Sequence, residues 1–447
     1  MEDRDFNLKS LFLFVLPAII TYLFNGFYSM VDGAFIEKFV GPYAVAAISL
    51  YYPVLNLVLG LGLMIGAGGS VALAALQGEG DQKTADKLFT QLVMVALSLG
   101  VLIAVFGDLF PTGIAHLLGA TDGNIAYFMD YYRIMISTTP VLIFAAIVMP
   151  FCLAEGKVVA ISVASVLGGI TNIVLDYVFM GVLGMGIEGA AAATMIGYAI
   201  PVAYALFFYL NLNGKGSSFR FRVAKPMVKR VVLSMYNGSS EMVSNLANGV
   251  TALIMNHLAY RFYREAGVSV VSVFLYIQFM IMAVFMGMTS TVEPLISYHY
   301  GAKDYERGRK IYSLSMQLTV IFTVVLTVVM GLFYRNFVGI FFENAGEQQI
   351  FYEIGCVSLK FAIPACLLTG FNILICGLFT AYGNGTVSAI LSILRTLVFL
   401  VAAMYTLPLL LPNDGLWLSW FGAELPALIV SVILLSHYKE RYYLKRT

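Results

Sequence analysis

Apolar residues run along this chain in long blocks separated by short polar joints. The blocks lie at about residues 11–36, 46–77, 88–110, 127–153, 158–183, 189–212, 230–260, 268–300, 310–334, 352–380, 386–411 and 415–437. Each holds at least the roughly 20 residues that a helix rising about 1.5 Å per residue needs to cross a hydrocarbon core about 30 Å thick. Lipid offers nothing to bond a free backbone N–H or C=O, so each block is predicted to be a helix, which satisfies its own. The pattern predicts twelve transmembrane helices in an all-α polytopic membrane protein. Pro17, Pro53, Pro140, Pro201, Pro294, Pro364 and Pro426 fall inside the blocks and predict bends whose freed backbone groups face protein or a cavity.

Composition agrees with this reading and adds little to it. Of 447 residues, 60% are hydrophobic and only 11% charged, with a mean hydropathy of +0.86; no soluble globular domain has that balance. The first ten residues, MEDRDFNLKS, are polar and lack a small-residue cleavage site, so the first block is expected to be a retained helix. Cys152, Cys356, Cys366 and Cys376 sit in apolar blocks without metal-ligand spacing and read as packing residues.

A net charge of +1 says nothing about partners, but where the charges lie sets orientation. Lys215, Arg220, Arg222, Lys225, Lys229 and Arg230 cluster in the central joint, Lys303 to Lys310 mark a later one, and Lys439 to Arg446 mark the tail. Arg4, Lys9, Lys83, Lys87 and Lys157 fall on the same side, while the opposite joints hold only Lys38, Arg133, Arg261, Arg264, Arg335 and Lys360. The positive-inside rule places both termini in the cytoplasm, in a multi-pass protein of the cell (inner) membrane.

The chain also repeats. LQGEGDQKTADKLF at 76–89 resembles YHYGAKDYERGRKIY at 298–312, matching Gly78 to Gly301, Asp81 to Asp304 and Lys87 to Lys310. Ala154-Glu155-Gly156 echoes Ala381-Tyr382-Gly383, with Pro140 and Pro364 at similar distances before them. Ordered matches at nearly one offset indicate duplication. Residues 1–212 and 230–447 are expected to form two six-helix lobes joined by a basic cytoplasmic linker, 213–229. An even number of helices per unit gives the lobes one topology and a pseudo-two-fold along the membrane normal.

Ionisable residues inside the blocks are the candidates for chemistry, because burying them in a membrane is costly. Asp32 lies roughly 30 Å along its helix from Leu11. From that helix alone it is either an interfacial carboxylate or a protonatable group lining a cavity. Asn172 and Asp176 share one helical face at i, i+4 spacing, and their oxygens are the ligands that a proton or hard cation takes. Thr194 offers a hydroxyl to the same pocket or to its own helix backbone. Gly60, Gly62, Gly66, Gly68 and Gly69 predict tight packing; they lack the ending of a phosphate loop. Glu241, in a band of Ser and Asn, counts to about 15 Å inside a helix starting near Val231. Glu293 reads as nearer the cytoplasmic end, and Arg395 has no partner that the sequence names. Met280, Met282, Met286 and Met288 read as packing, or as an adaptable apolar wall.

In these residues the chain resembles the multidrug and toxic compound extrusion transporters, in their smaller prokaryotic form. The carriers are Asp32 with Phe35-Ile36 and Gly41, then Ala44-Val45-Ala46-Ala47, the glycine-rich block ending at Gln77-Gly78, the run Asn172 to Asp176, and Gly184 to Thr194. The resemblance implies two lobes around a central cavity and exchange of cationic amphipathic drugs for H⁺ or Na⁺. It further implies a coupling and substrate pocket at Asp32, Asn172, Asp176 and Thr194, with Na⁺ as the alternative occupant of those four. Glu241 matches a residue of another branch's carboxy-lobe cation site, but 361–380 lacks the carboxylate that would complete it. A role as counter-charge for substrate is therefore expected of Glu241.

The expected function is secondary active efflux by alternating access, without cofactor or nucleic acid, by a chain expected to be monomeric in the bilayer. The alternative is a flippase for a lipid-linked precursor of related fold. Its pyrophosphate calls for several cavity-facing Arg or Lys, and only Arg395 lies clearly within a helix. An enzyme needs a nucleophile–base pair or a metal set, and His116, His257, His299 and His437 are scattered.

Overall fold

The computed structural model describes residues 6–120, 123–210, 216–412 and 414–442. Arg4, Lys215, Lys445 and Arg446, and with them part of the basic linker and tail, lie outside the described residues. The described chain is nearly all helix: α1 Leu8–Phe39, α2 Pro42–Gly78, α3 Gln82–Leu109, α4 Pro111–Leu117, α5 Ile125–Ser137, α6 Thr139–Ala154, α7 Val158–Asp176, α8 Gly186–Tyr209, α9 Val228–Asn237, α10 Ser239–Gly301, α11 Tyr305–Gly339, α12 Gln349–Ala381, α13 Gly385–Ile393, α14 Phe399–Leu410 and α15 Ser419–Tyr438. Among the described residues ten helices are long and apolar enough to cross a membrane, or eleven with α5 and α6 taken as one span bent by 57°.

Departures from the expected blocks have local causes. The block 127–153 bends at Thr138, where Pro140 enters in the first turn of α6. The helices run on through Pro17, Pro53, Pro201, Pro294, Pro364 and Pro426. The blocks 230–260 and 268–300 meet at the polar stretch 261–267, where α10, Ser239–Gly301, is two helices joined across a kink at one non-helical position, Arg264 (φ 58°, ψ −143°). Six-residue and five-residue π-helical turns, Tyr177–Val182 and Leu394–Val398, follow α7 and α13.

Four apolar clusters hold the described residues together, the smallest of them around Phe379, Val387 and Tyr442. One is built from α1 to α9 residues such as Tyr51, Phe89, Tyr132 and Phe151. A second spans α10 to α15, around Phe274, Phe285 and Trp417. In the third, Leu11, Val15 and Ile19 of α1 pack with Met288, Val292 and Leu295 of α10, so the first helix is shared between the two halves.

Two glycine crossings fasten α2 to the second half. A Cβ on Gly68 would sit 1.9 Å from the Ser234 carbonyl oxygen, and one on Gly238 would sit 2.1 Å from that of Met64. One helix end further on, Gly78 and Gly301 meet in the same reciprocal way, against the Tyr298 and Ala75 oxygens at 2.0 and 2.2 Å. Only glycine permits backbones this close. These are the two glycines that the sequence repeat pairs.

The segment 216–227 is fastened to the first half. Arg222 Nε donates to the buried Asp86 carboxylate at 2.8 Å, and Arg222 N donates to Thr90 Oγ1 at 2.9 Å. Met227 N donates to Gln91 Oε1 at 2.7 Å. Ser217 Oγ and both Ser218 N and Oγ donate to Glu155 at the end of α6. Phe219 is fully buried and stacks on Phe89. Burial pushes the Glu155 carboxyl above its usual range, against the bonds from Ser217 and Ser218, which hold it down.

Candidate functional site

The first half contains a cavity of about 270 Å³ between α1, α2, α6, α7 and α8. Asn172 and Thr194 both line it, with Asn25, Tyr28 and Tyr198. Asp176, one helical turn beyond Asn172, is fully buried at the end of α7, where the backbone widens into the π turn. Its carboxyl lies within hydrogen-bonding reach of Asp32. Neither carboxyl is among the residues lining the cavity, whereas Asn172, one turn before Asp176, is. Asp32, Asn172 and Asp176 are thus brought together, and Thr194 joins them through the shared cavity.

This polar group is short of partners. No described residue donates a hydrogen bond to either oxygen of Asp176 or to Asp32 Oδ1, and both amide atoms of Asn172 are also unsatisfied. Two facing carboxylates with no cation between them are not a stable buried arrangement. A proton resolves it by turning one carboxyl into a donor for the other, and the same oxygens with the Asn172 amide oxygen match the ligands of a hard monovalent cation. Around Asp32 stand four tyrosines from four helices, Tyr28, Tyr52, Tyr131 and Tyr198, all within electrostatic reach of it. Sequence reasoning missed them, because a lone Tyr in an apolar helix carries no spacing signal.

The second half contains a cavity of about 300 Å³ lined by Glu241, Glu293, Thr289, Gln278, Arg395 and Trp420, among others. The chain breaks at Gly238, so Glu241 sits in the first turn of α10 instead of midway along one straight helix. Glu293, expected near the cytoplasmic end, faces the same cavity. Arg395 does have a partner: its Nη1 lies 3.5 Å from Glu424 Oε1. Glu424 is buried and accepts from Asn372 Nδ2 at 2.6 Å and Trp420 Nε1 at 3.2 Å, while Ser431 Oγ donates to Asn372 Oδ1 at 3.2 Å. Glu424 escaped notice, though its place inside the last apolar block was itself the signal.

Asn245, Phe279 and Met286 line both cavities, so the two meet at a wall of one amide and two adaptable apolar side chains. Among the described residues no group of three or more His, Cys, Asp and Glu is placed to hold a metal ion.

Comparison with known proteins bears on this arrangement directly. The Multidrug export protein MepA of Staphylococcus aureus (strain NCTC 8325 / PS 47) is 27% identical over 389 residues, covering 87% of this chain and 84% of its own. Its counterpart in Staphylococcus haemolyticus (strain JCSC1435) is 27% identical over 437 residues, 97% of this chain and 94% of its own. A solved structure described as the outward-facing conformation of a multidrug resistance MATE family transporter of the MOP superfamily shares the fold, with a TM-score of 0.90 at 22% identity over 98% of this chain and 97% of that one. The MatE family model matches residues 17–178 and again 241–406, once in each half. The chain belongs to the MatE family, and is a multi-pass membrane transporter rather than an enzyme.

Proposed function

We propose that this protein is a secondary active exporter of cationic, amphipathic compounds, driven by exchange with H⁺ or Na⁺ through alternating access. The observation that carries this reading is the Asp32–Asp176 pair, which no hydrogen-bond donor among the described residues satisfies at Asp176 or at Asp32 Oδ1, near a cavity that Asn172 and Thr194 line. An ion entering this group satisfies it; losing the ion leaves two unbalanced carboxylates, which a cationic substrate nearby relieves. The two occupants therefore compete, and competition is the thermodynamic basis of exchange. The relatives' role in multidrug export supports efflux as the direction of transport.

The same reading takes the fold as twelve spans in two six-helix lobes, 1–212 and 230–447, joined by 213–229. The kink at Arg264 divides α10 into two helices, each longer than the roughly 20 residues that a span needs, and α5 with α6 make one. Both termini and the basic linker lie in the cytoplasm. Cysteine labels at Gly216 and Thr447 should react only from the cytoplasmic side of intact cells, and labelling of either from outside would refute the topology.

A flippase for an anionic lipid-linked precursor is disfavoured by the cavities themselves. Their one lining cation, among the described residues, is Arg395, and Glu424 already neutralises it. The deciding experiment is efflux of a fluorescent cation from proteoliposomes under imposed pH or sodium gradients. Gradient-driven export by the native protein, lost in Asp32→Asn while that variant still inserts and folds, is the expected result. Native-level export by Asp32→Asn would overturn the assignment of coupling to this pair.

A further inference from the structure

The second-half cavity has more carboxyls than one substrate cation pairs with. Glu241 and Glu293 both line it, along with Arg395, whose nearest carboxylate is Glu424. With Arg395 and Glu424 paired to each other, two cavity-lining carboxyls are left for protons or bound cations to satisfy. Glu293 is only 8% exposed, and no basic side chain pairs with it among the described residues. It also has a built seat. A Cβ on Gly377 of α12 would lie 2.3 Å from Glu293 Oε1 and 2.3 Å from Thr289 Cγ2, so this glycine makes the room in which the carboxyl lies. One turn before Glu293, Thr289 lines the cavity with its buried hydroxyl oxygen unsatisfied. The walls between are apolar and adaptable, with Phe274, Phe279, Met282 and Met286, of the kind that accepts varied hydrocarbon.

We propose that Glu293 is a second anionic anchor beside Glu241, and that together they give this transporter a preference for dicationic amphiphiles, two cationic groups on one apolar spacer. The inference rests on the exporter reading above and names its substrate class. With a monocation at Glu241 the buried Glu293 keeps a proton and makes no ionic contact, whereas the second charge of a dication can pair with its carboxylate, so only the dication draws on both anchors. Arg395 does not substitute for the second cation, since it is tethered on its π turn beside Glu424.

The test measures binding of bis(trimethylammonium)alkanes, with three to ten methylenes between the charges, to the full chain in nanodiscs. Each is compared with the alkyltrimethylammonium of equal chain length. At the best spacing the dication should bind about ten- to a hundredfold tighter than its monocation. Glu293→Gln should collapse that ratio toward one through loss on the dication side. A ratio near one at every spacing in the native protein overturns the proposal without requiring any variant to fold. So does a ratio that survives in a folded Glu293→Gln protein. Binding of neither ion overturns the cation-exporter reading beneath it, and tight binding of the monocations alone overturns only the second anchor.

Discussion

The two halves widen the same helix and use the widening for opposite chemistry. In each, the fifth apolar block passes into a π turn, at Tyr177–Val182 and at Leu394–Val398. Beside the first stands Asp176, facing another carboxyl and with no hydrogen-bond donor among the described residues. Within the second stands Arg395, paired to a glutamate that Asn372 and Trp420 also hold. A duplicated scaffold thus carries one polar group left incomplete and one whose charge is closed by an ion pair of its own residues, although Arg395 Nη1 itself makes no hydrogen bond among the described residues. The incomplete one is able to exchange ions, because an ion supplies what the protein omits. The closed one gives shape and a fixed charge to a cavity wall.

That contrast is breakable by substitution, and the largest effect belongs to the first half. Asp176→Asn should reduce gradient-driven export to background while leaving thermal stability equal or higher, since it removes one of two facing like charges. Transport assays paired with thermal unfolding in detergent check both parts; a stability loss comparable to the transport loss would make Asp176 structural. The reverse outcome is expected at Arg395. Arg395→Gln leaves Glu424 buried without its cation and should destabilise the protein by about 3–5 kcal/mol, seen as a lowered melting temperature, and an unchanged melting temperature would refute the closed-network reading.

Substrate affinity is a smaller effect. Glu241→Gln keeps the side-chain shape and removes its charge, so monocationic compounds should bind about ten- to a hundredfold more weakly, or roughly 1.5–3 kcal/mol. Neutral substrates and the response to the ion gradient should persist. Loss of the gradient response would draw Glu241 into the coupling group and erase the division between halves.

The smallest effect concerns the segment docked on the first half alone. The Glu155 carboxyl is raised where it holds Ser217 and Ser218, so the docked state binds its proton more tightly than the free one. This contribution to docking is complete below the ordinary glutamate value and fades as pH rises through the raised one. Tryptic cleavage at Arg220 and Arg222 should accelerate modestly over that window, and Glu155→Gln should abolish the dependence. A pH-independent cleavage rate in the native protein would contradict it.

Much of this was legible in the chain. Apolar blocks set the helices because lipid leaves a backbone no other partner, and the repeat aligned Gly78 with Gly301, though that the two meet in space is known only from the fold. Spacing placed Asn172 over Asp176, but only the tertiary structure brings Asp32 to them across two helices. Hidden from the sequence were features that depend on neighbours in space: the tyrosines around Asp32, the seat that Gly377 leaves for Glu293, and Glu424 as partner of Arg395. The joint expected between 260 and 268 holds the kink at Arg264, but that one residue in an unusual conformation makes the turn could not be read from the pattern.

The docked segment 216–227 has a consequence for how the chain can be divided. It belongs covalently to the second half, yet its hydrogen bonds and the Phe219 side chain are spent on the first. A protein cut near residue 213 would therefore leave one fragment carrying a ready-made grip for the other, raising the effective concentration of the two halves for each other as a tether does. A cut between Met227 and Val228 would leave that arm on the fragment it already clasps and remove the advantage. Co-expressed fragments from the first cut should reassemble into an active transporter more readily than those from the second, which makes this short basic arm a natural seam for complementation.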